Sequence, residues 1–576
     1  MSIVTDFIKL DREYGALFEC VSHERTLTTP HPILVSGLCD GATDAAFVTL
    51  IKDLKNDGNG TVLILLPDEK SCARLCSFLN KQGLSTGFYM ARDLTFYNIT
   101  ASHEYEHERL SVLSGIIDGR FDAVVTTPDA ALGFTIPAER LKSSRYTVEY
   151  GKTLIDPQEF SEFLVSLGYV RVDLVDAPGQ FASRGGIFDV FPSVAHYTDI
   201  EGKVFFESAP FRIELFGDEI DRMESFDPET QRMTFSIDKV EFTPPREILL
   251  DSEAKQRLKK AIAAQQKKTT DESALLEIGR ELAAIDAGAE INFLDKYISV
   301  IYPEKACLLD YFKSGATVLI KDTDGIYAKI KSTGFQLEQN ARSMVENGII
   351  SAKNAVYSKN AEDFKEYLSR FSDVHFDPLS HGITGEPLGG LFNFKTKQAI
   401  GYGDNFSILR EDIESYLHSG HKICVLAENE AAAKNICSLL KENKISAVSE
   451  ASFPEISLTD IPKDKVFVAY KEIIKGFELV TPRVAVLSTL PDGHDGTHDG
   501  SLMRKRKRLK PGTARILSYN DLEIGDFVVH EIHGIGQYMG VQNLKADGVS
   551  RDYITIRYAG TDKLFLPIEK MDMITK

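Results

Sequence analysis

Short aliphatic runs that alternate with stretches of helical periodicity constrain this chain more than any other feature. "PILVSG" from Pro32 precedes a helical pattern near 43–56, "TVLILLP" precedes one from Glu69 to Lys81, and "FDAVVTTP" follows before about Leu132. Buried strands joined by crossover helices make a parallel sheet, so the first unit is expected to be α/β. At 576 residues the chain is too long for one core, and roughly 150 residues per domain gives about four domains.

The stretch Ser36-Gly37-Leu38-Cys39-Asp40-Gly41-Ala42-Thr43-Asp44 ends the first run and opens the first helix, where a phosphate-binding loop would stand. A working loop reads Gly-x-x-x-x-Gly-Lys-Ser/Thr: backbone N–H groups cradle phosphate, the lysine reaches its oxygens and the hydroxyl holds magnesium. Here Thr43 takes the lysine slot and Asp44 the hydroxyl slot, where its charge would repel a triphosphate. Gly37 and Gly41 give the loop its shape, with Gly41 one position short of the second glycine slot, without its chemistry. Asp68-Glu69 after the second run resembles a magnesium-binding strand end, but Pro67 interrupts it, and an acidic helix start is the expected reading.

Further along, the texture changes. Residues 147–215 read as mixed strands around one helix from Pro157 to Gly168 and end in "PGQFASRGGIFDVFP" and "FRIELFGDEIDRMESFD". Alternation in these strands predicts antiparallel pairing with one wet face. Residues 255–290 are helical by composition and Ala- and Lys-rich enough to lie across a surface, and a further α/β unit follows at about 370–490. "LPDGHDGTHDGSLMRKRKRLKPG", with six basic residues in the seven from Arg504 to Lys510, reads as a solvated linker. After it, short strands with glycine turns predict a small β-barrel over 518–576. The expected division is 1–140 and 221–365 for the first α/β domain, 141–220 for an α+β insertion, 366–495 for a second α/β domain, 496–517 for the linker and 518–576 for the barrel.

The net charge of −19 argues against coating nucleic acid over the whole surface, so any DNA contact should be local, with Arg504–Lys510 one candidate. Seven scattered cysteines without a Cys-x-x-Cys pair point to a reducing compartment and no structural zinc. The His530-x-x-His533 pair and the loop histidines His494 and His498 lack the helical spacing of a metal site. No basic and apolar leader and no run of 18 apolar residues occurs, so a cytoplasmic, monomeric protein without a membrane span is expected.

Two blocks carry a family resemblance. "FASRGGIFDVFP…FRIELFGDEIDRMESFD" resembles the region that the bacterial transcription-repair coupling factor family, Mfd, shares with UvrB. "GDFVVHEIHGIGQYMGVQNL…DYITIRYAGTDKLFLPIEKMDMI" resembles that family's RNA-polymerase-interacting domain, a Tudor-like barrel also found in CarD regulators. The resemblance implies the N-terminal half of the family: a UvrB-like domain with a dead loop, a UvrA-binding insertion and a polymerase-binding barrel.

It implies Arg184, Arg212 and Phe216 as UvrA-binding residues, and a β edge at Val541, Asn543 and Leu544 for the polymerase β subunit. By strand alternation Arg212, Glu214 and Phe216 share one face, and Arg and aromatic side chains anchor interfaces well. The segment from Tyr89 to Glu108 is too short for the Tyr-rich hairpin with which UvrB probes damage. No catalytic residue, cofactor or metal is expected in this chain, because ATP and magnesium belong to the family's motor region. The alternative is a UvrB-like subunit that hydrolyses nucleotide.

Overall fold

The computed structural model describes residues 7–58, 60–92, 104–287, 294–378, 387–403, 405–450, 464–470, 474–489, 525–530, 534–546, 549–558, 563–567 and 574–575. Among these, seven strands form a wholly parallel sheet. Their spatial order is Gly390–Asn393, Ile33–Ser36, Ser372–Asp377, Thr317–Lys321, Val62–Leu65, Ala123–Thr126 and Thr86–Tyr89. The helix Glu69–Lys81 starts where the sequence predicts: Asp68 caps it, accepting from the Ser71 N–H at 2.8 Å, so Asp68 and Glu69 serve a helix start. The expected boundary at 366 is corrected here. Ser372–Asp377 and Gly390–Asn393 flank Ile33–Ser36 in this sheet, and the second α/β unit begins with the strand Thr396–Gln398.

The insertion is a nine-stranded, mainly antiparallel sheet among the described residues, running from Tyr146–Glu149 to Met233–Phe242. Its expected end at 220 is too early, because Glu219–Phe226 pairs with Phe211–Phe216, and Met233–Phe242 pairs with both Ala195–Asp199 and Tyr146–Glu149. One face buries Phe181, Phe188, Phe211, Ile213 and Phe242 under the helix Pro157–Ser166, which contributes Phe160 and Leu164. The other face is drier than alternation predicts. Phe191, Ala182 and Phe226 are buried there with Val175 in a second, smaller cluster.

The helices Ser252–Gln266 and Glu272–Ala287 do not merely lie on a surface: Ala254, Leu258, Ile262 and Ile278 enter the core beneath the first sheet. The second α/β unit holds a six-stranded mixed sheet among the described residues. Between the two sheets lies the helix Asp40–Asn56, on which every residue from Gly41 to Ile51 is buried. Its Phe47, Val48 and Ile51 share one core with Cys424, Leu426, Phe467, Phe477 and Val486 of the second unit. A helix that is buried on all sides belongs inside a core, and here it joins two units into one.

Among the described residues the terminal unit is a five-stranded antiparallel sheet in the order Lys563–Pro567, Val549–Arg557, Gly534–Ala546, Phe527–His530 and Ile574–Thr575. Gly540, with φ of 102°, lies at the register shift between Tyr538 and Val541, a bulge that bends the sheet. The linker with Arg504–Lys510, the histidines His494, His498 and His533, and the segment 93–103 lie outside the described residues. No described helix is long and apolar enough to cross a membrane.

Candidate partner-binding surfaces and the phosphate-type loop

The loop opens from the C-terminal end of the strand Ile33–Ser36, as a phosphate loop would, but other parts of the chain fill it. The Thr396 hydroxyl donates to the Gly37 carbonyl at 2.7 Å and accepts from the Cys39 N–H at 2.8 Å, so this loop N–H is already satisfied within the chain. Gly37 has φ of 76°, and a Cβ there would stand 2.0 Å from the Phe394 carbonyl oxygen. A Cβ on Gly41 would stand 2.1 Å from the Lys475 carbonyl oxygen. Thr43, in the lysine slot, is buried and bonds back to the Cys39 carbonyl at 3.0 Å.

The charge of Asp44 is not left to repel a ligand. It is buried and bound at both oxygens by Arg74, at 2.5 and 3.1 Å. Asp40, at the helix start, is held by Lys321 at 3.0 Å and by Lys475 at 3.2 Å, one lysine from each α/β unit. Burial pushes its carboxyl up, but the two ammonium groups outweigh burial and lower it to about 2. A polar cavity of about 320 Å³ beside the loop is lined by these groups with Lys70 and Asp322, so cations and carboxylates nearly balance. Sequence reasoning missed Thr396, Lys321 and Lys475, because nothing local links residues some 280 to 435 positions from the loop.

On the outer face of the insertion, cross-strand pairing sets three rows. Phe216 and Glu219 form the tip, Arg184, Ile187, Glu214 and Arg222 the next row, and Ala182, Asp189, Arg212 and Glu224 the third. Phe216 is 83% exposed and Ile187 39%, with Leu174 exposed as well. Arg184 is exposed and donates to the Asp173 carbonyl. Arg212 differs from the sequence-based expectation. It binds buried Asp189 through two bonds of 2.5 and 2.8 Å and lies over the Phe226 ring, so its charge is already spent within the sheet. The exposed part of this face is therefore Phe216, Ile187 and Arg184 with Glu219 and Arg222, resting on the Arg212–Asp189 pair.

A buried charge cluster fixes the root of the insertion. Glu247, fully buried just past the last strand, meets Arg109 at 2.5 Å, Arg92 at 3.0 Å and the Thr135 hydroxyl at 2.8 Å. Burial raises the Glu247 carboxyl, yet the two guanidiniums overcome it and hold it below the usual carboxylate range. At the entry strand, Arg145 bridges Asp118 and Glu241 at 2.5 and 3.2 Å. Both connections are thus tied to the region of the helix Glu104–Ile117.

In the terminal sheet, Val541 pairs with Ile554, Asn543 with Asp552 and Leu544 with Arg551. The neighbouring strand Phe527–His530 reaches only as far as Gln537, so among the described residues the stretch Val541–Ala546 has its second edge open. The side chains of Val541, Asn543 and Leu544 lie outside the described structure. His530 is buried in the sheet rather than presented on a surface.

The chain is thus a modular protein, an insertion with an exposed aromatic tip joined through α/β units to a small antiparallel sheet. Residues 147–247 match the UvrB interaction domain, and residues 522–576 match the CarD-like/TRCF RID domain. Over its whole length the chain is similar to transcription-repair-coupling factors. It is 26% identical over 587 residues to that of Staphylococcus haemolyticus, covering 100% of this chain and 47% of the relative. It is 26% identical over 575 residues to that of Bacillus subtilis, covering 95% of this chain and 45% of the relative. The chain spans about half the length of the curated relatives it matches.

Proposed function

We propose that this chain is the adaptor portion of a transcription-repair coupling factor. The insertion holds UvrA, the terminal sheet holds the RNA polymerase β subunit, and the α/β units fix the spacing between them. The observation that carries this reading is the exposed Phe216 beside Arg184 and Ile187, inside the segment that matches the UvrB interaction domain. An exposed aromatic flanked by a guanidinium supplies the buried area and directed hydrogen bonds of an interface hot spot. For the polymerase, the edge at Val541–Ala546, open among the described residues, offers backbone groups for strand addition.

The chain works without a cofactor or catalytic residue of its own in this reading. The rival, a nucleotide-hydrolysing UvrB-like subunit, requires an open cradle and a lysine, whereas Thr396 sits in the cradle and Thr43 in the lysine slot. ATP and magnesium serve the motor that the family resemblance assigns to the rest of the longer relatives.

The test is titration of the full chain with UvrA. Phe216→Ala and Arg184→Glu should each weaken binding about 30-fold, the loss of a hot spot worth about 2 kcal/mol, and leave melting unchanged. Arg212→Glu is not diagnostic, because it sets a carboxylate against buried Asp189 and destabilises the sheet itself. Wild-type affinity in both surface variants refutes the assignment of this face. DNA-stimulated ATP hydrolysis by the wild-type chain would favour the rival.

A further inference from the structure

The long helix Thr323–Glu346 presents an apolar stripe to the core at helical spacing: Ile326, Ile330, Leu337, Ala341 and Met344. Position 334 is the slot between Ile330 and Leu337, and it holds glycine. Nothing lies within 4 Å of where a Cβ would stand on Gly334, so no internal close approach calls for a glycine, which is a poor residue for a helix interior. The missing side chain leaves a groove of about 440 Å³ between this helix and the segment 355–361, with Ile330, Leu337, Val356 and Tyr357 among its walls.

The rim has a definite charge. Lys331 and Lys359 line the groove, and the Lys359 ammonium stands 5.8 Å from the Tyr367 ring centroid. Among the described residues the lining holds one carboxylate, Glu338, which is already in the field of Arg342 one turn further on. An apolar trough of this size, open along one side and flanked by two ammonium groups, has the shape and charge for an amphipathic peptide.

We propose that this groove seats an acidic amphipathic segment of a partner protein. A large apolar side chain fills the space over Gly334, and carboxylates meet Lys331 and Lys359. The groove belongs to neither of the two modules assigned above, and its partner is additional to theirs.

The full chain is to be screened against a random 12-residue peptide library displayed on phage. Enriched peptides should combine a bulky aliphatic or aromatic residue with Asp or Glu. A synthetic copy should slow hydrogen exchange in 330–337 and 355–361. Gly334→Leu supplies the side chain that the stripe lacks. It should raise the melting temperature and weaken the peptide at least tenfold, so that loss of binding cannot be read as unfolding. Lys331→Glu with Lys359→Glu should turn the selection toward Lys- and Arg-bearing peptides. The proposal is overturned if no groove-dependent peptide emerges or if Gly334→Leu binds as tightly as wild type. It is equally overturned if the groove instead seats a second copy of the chain, seen as a dimer that Gly334→Leu dissolves.

Discussion

Replacing Arg109 by methionine should release the root of the insertion while leaving both of its faces intact. The Arg109 side chain is 2% exposed, and its partner Glu247 is fully buried. Arg109 donates to Glu247 at 2.5 and 3.3 Å, to the Met90 carbonyl at 2.5 Å, and to the Tyr89 hydroxyl. Removing one partner of a buried ion pair costs about 3–5 kcal/mol. Arg92 and Thr135 still hold Glu247, which moves the cost toward the low end. Stranding the Met90 carbonyl adds about 1–3 kcal/mol for a group left unpaired, whereas the Tyr89 hydroxyl keeps Thr135 as a partner. A local loss of about 4 kcal/mol is therefore expected.

A chain of several units need not unfold in one step, so global denaturation is the wrong assay. Hydrogen exchange resolved by segment is the right one. Amides in 104–117 and 243–250 should exchange about 10²–10³-fold faster, the conversion of that free energy at 1.4 kcal/mol per decade. Exchange inside the insertion sheet should change far less. Adding Glu247→Gln to Arg109→Met should cost less than the sum of the single changes by about 2 kcal/mol, because the stranded charge is gone. Exchange within tenfold of wild type, or strict additivity in the double variant, refutes the claim that this pair locks the insertion.

Two further outcomes follow from the filled loop. Asp40 has a folded-state value of about 2, below that of an unfolded aspartate, so its contribution is complete above about pH 4 and lost as pH falls through about 2. Its side chain is 52% exposed, so solvent screening leaves about 1 kcal/mol of stability, which a melting series in acid should show for wild type and not for Asp40→Asn. Gly41→Ala forces a methyl into the Lys475 carbonyl and should destabilise the junction by about 1–3 kcal/mol. Gly15→Ala, where a Cβ meets nothing within 4 Å in the helix Arg12–Glu24, should be neutral or stabilising by up to about 1 kcal/mol in the same melts.

What could be read from the sequence was local. The helix Glu69–Lys81 was legible because a cap at Asp68 and the buried stripe Leu75, Cys76 and Leu79 lie within a few turns of one another. The end of the insertion was not legible. Register shifts at Ser225/Phe226 and Ile237/Lys239 break the alternation that marks a strand. The strand Ser372–Asp377 was hidden for another reason: it is buried on both faces, and one of them is polar. Asp373 meets His375 at 2.7 Å, His375 meets the Thr323 hydroxyl at 2.9 Å, and that hydroxyl donates to Asp377 at 2.8 Å. The exposure of Phe216 agrees with strand alternation, whereas the capture of Arg212 by Asp189 required knowing that their strands are neighbours.

The strand Ile33–Ser36 lies between Ser372–Asp377 and Gly390–Asn393, and this has a consequence on the ribosome. Neither neighbour exists until some 340 to 360 further residues have been made. At about 5–20 residues per second, both edges of that strand stay unpaired for roughly 20–70 s. The insertion can close in the meantime, since all nine of its described strands lie between Tyr146 and Phe242. The order of assembly thus inverts the order of synthesis. The insertion is finished first, and the body that carries it is completed around the strand Ile33–Ser36, whose aliphatic edges stay open until then.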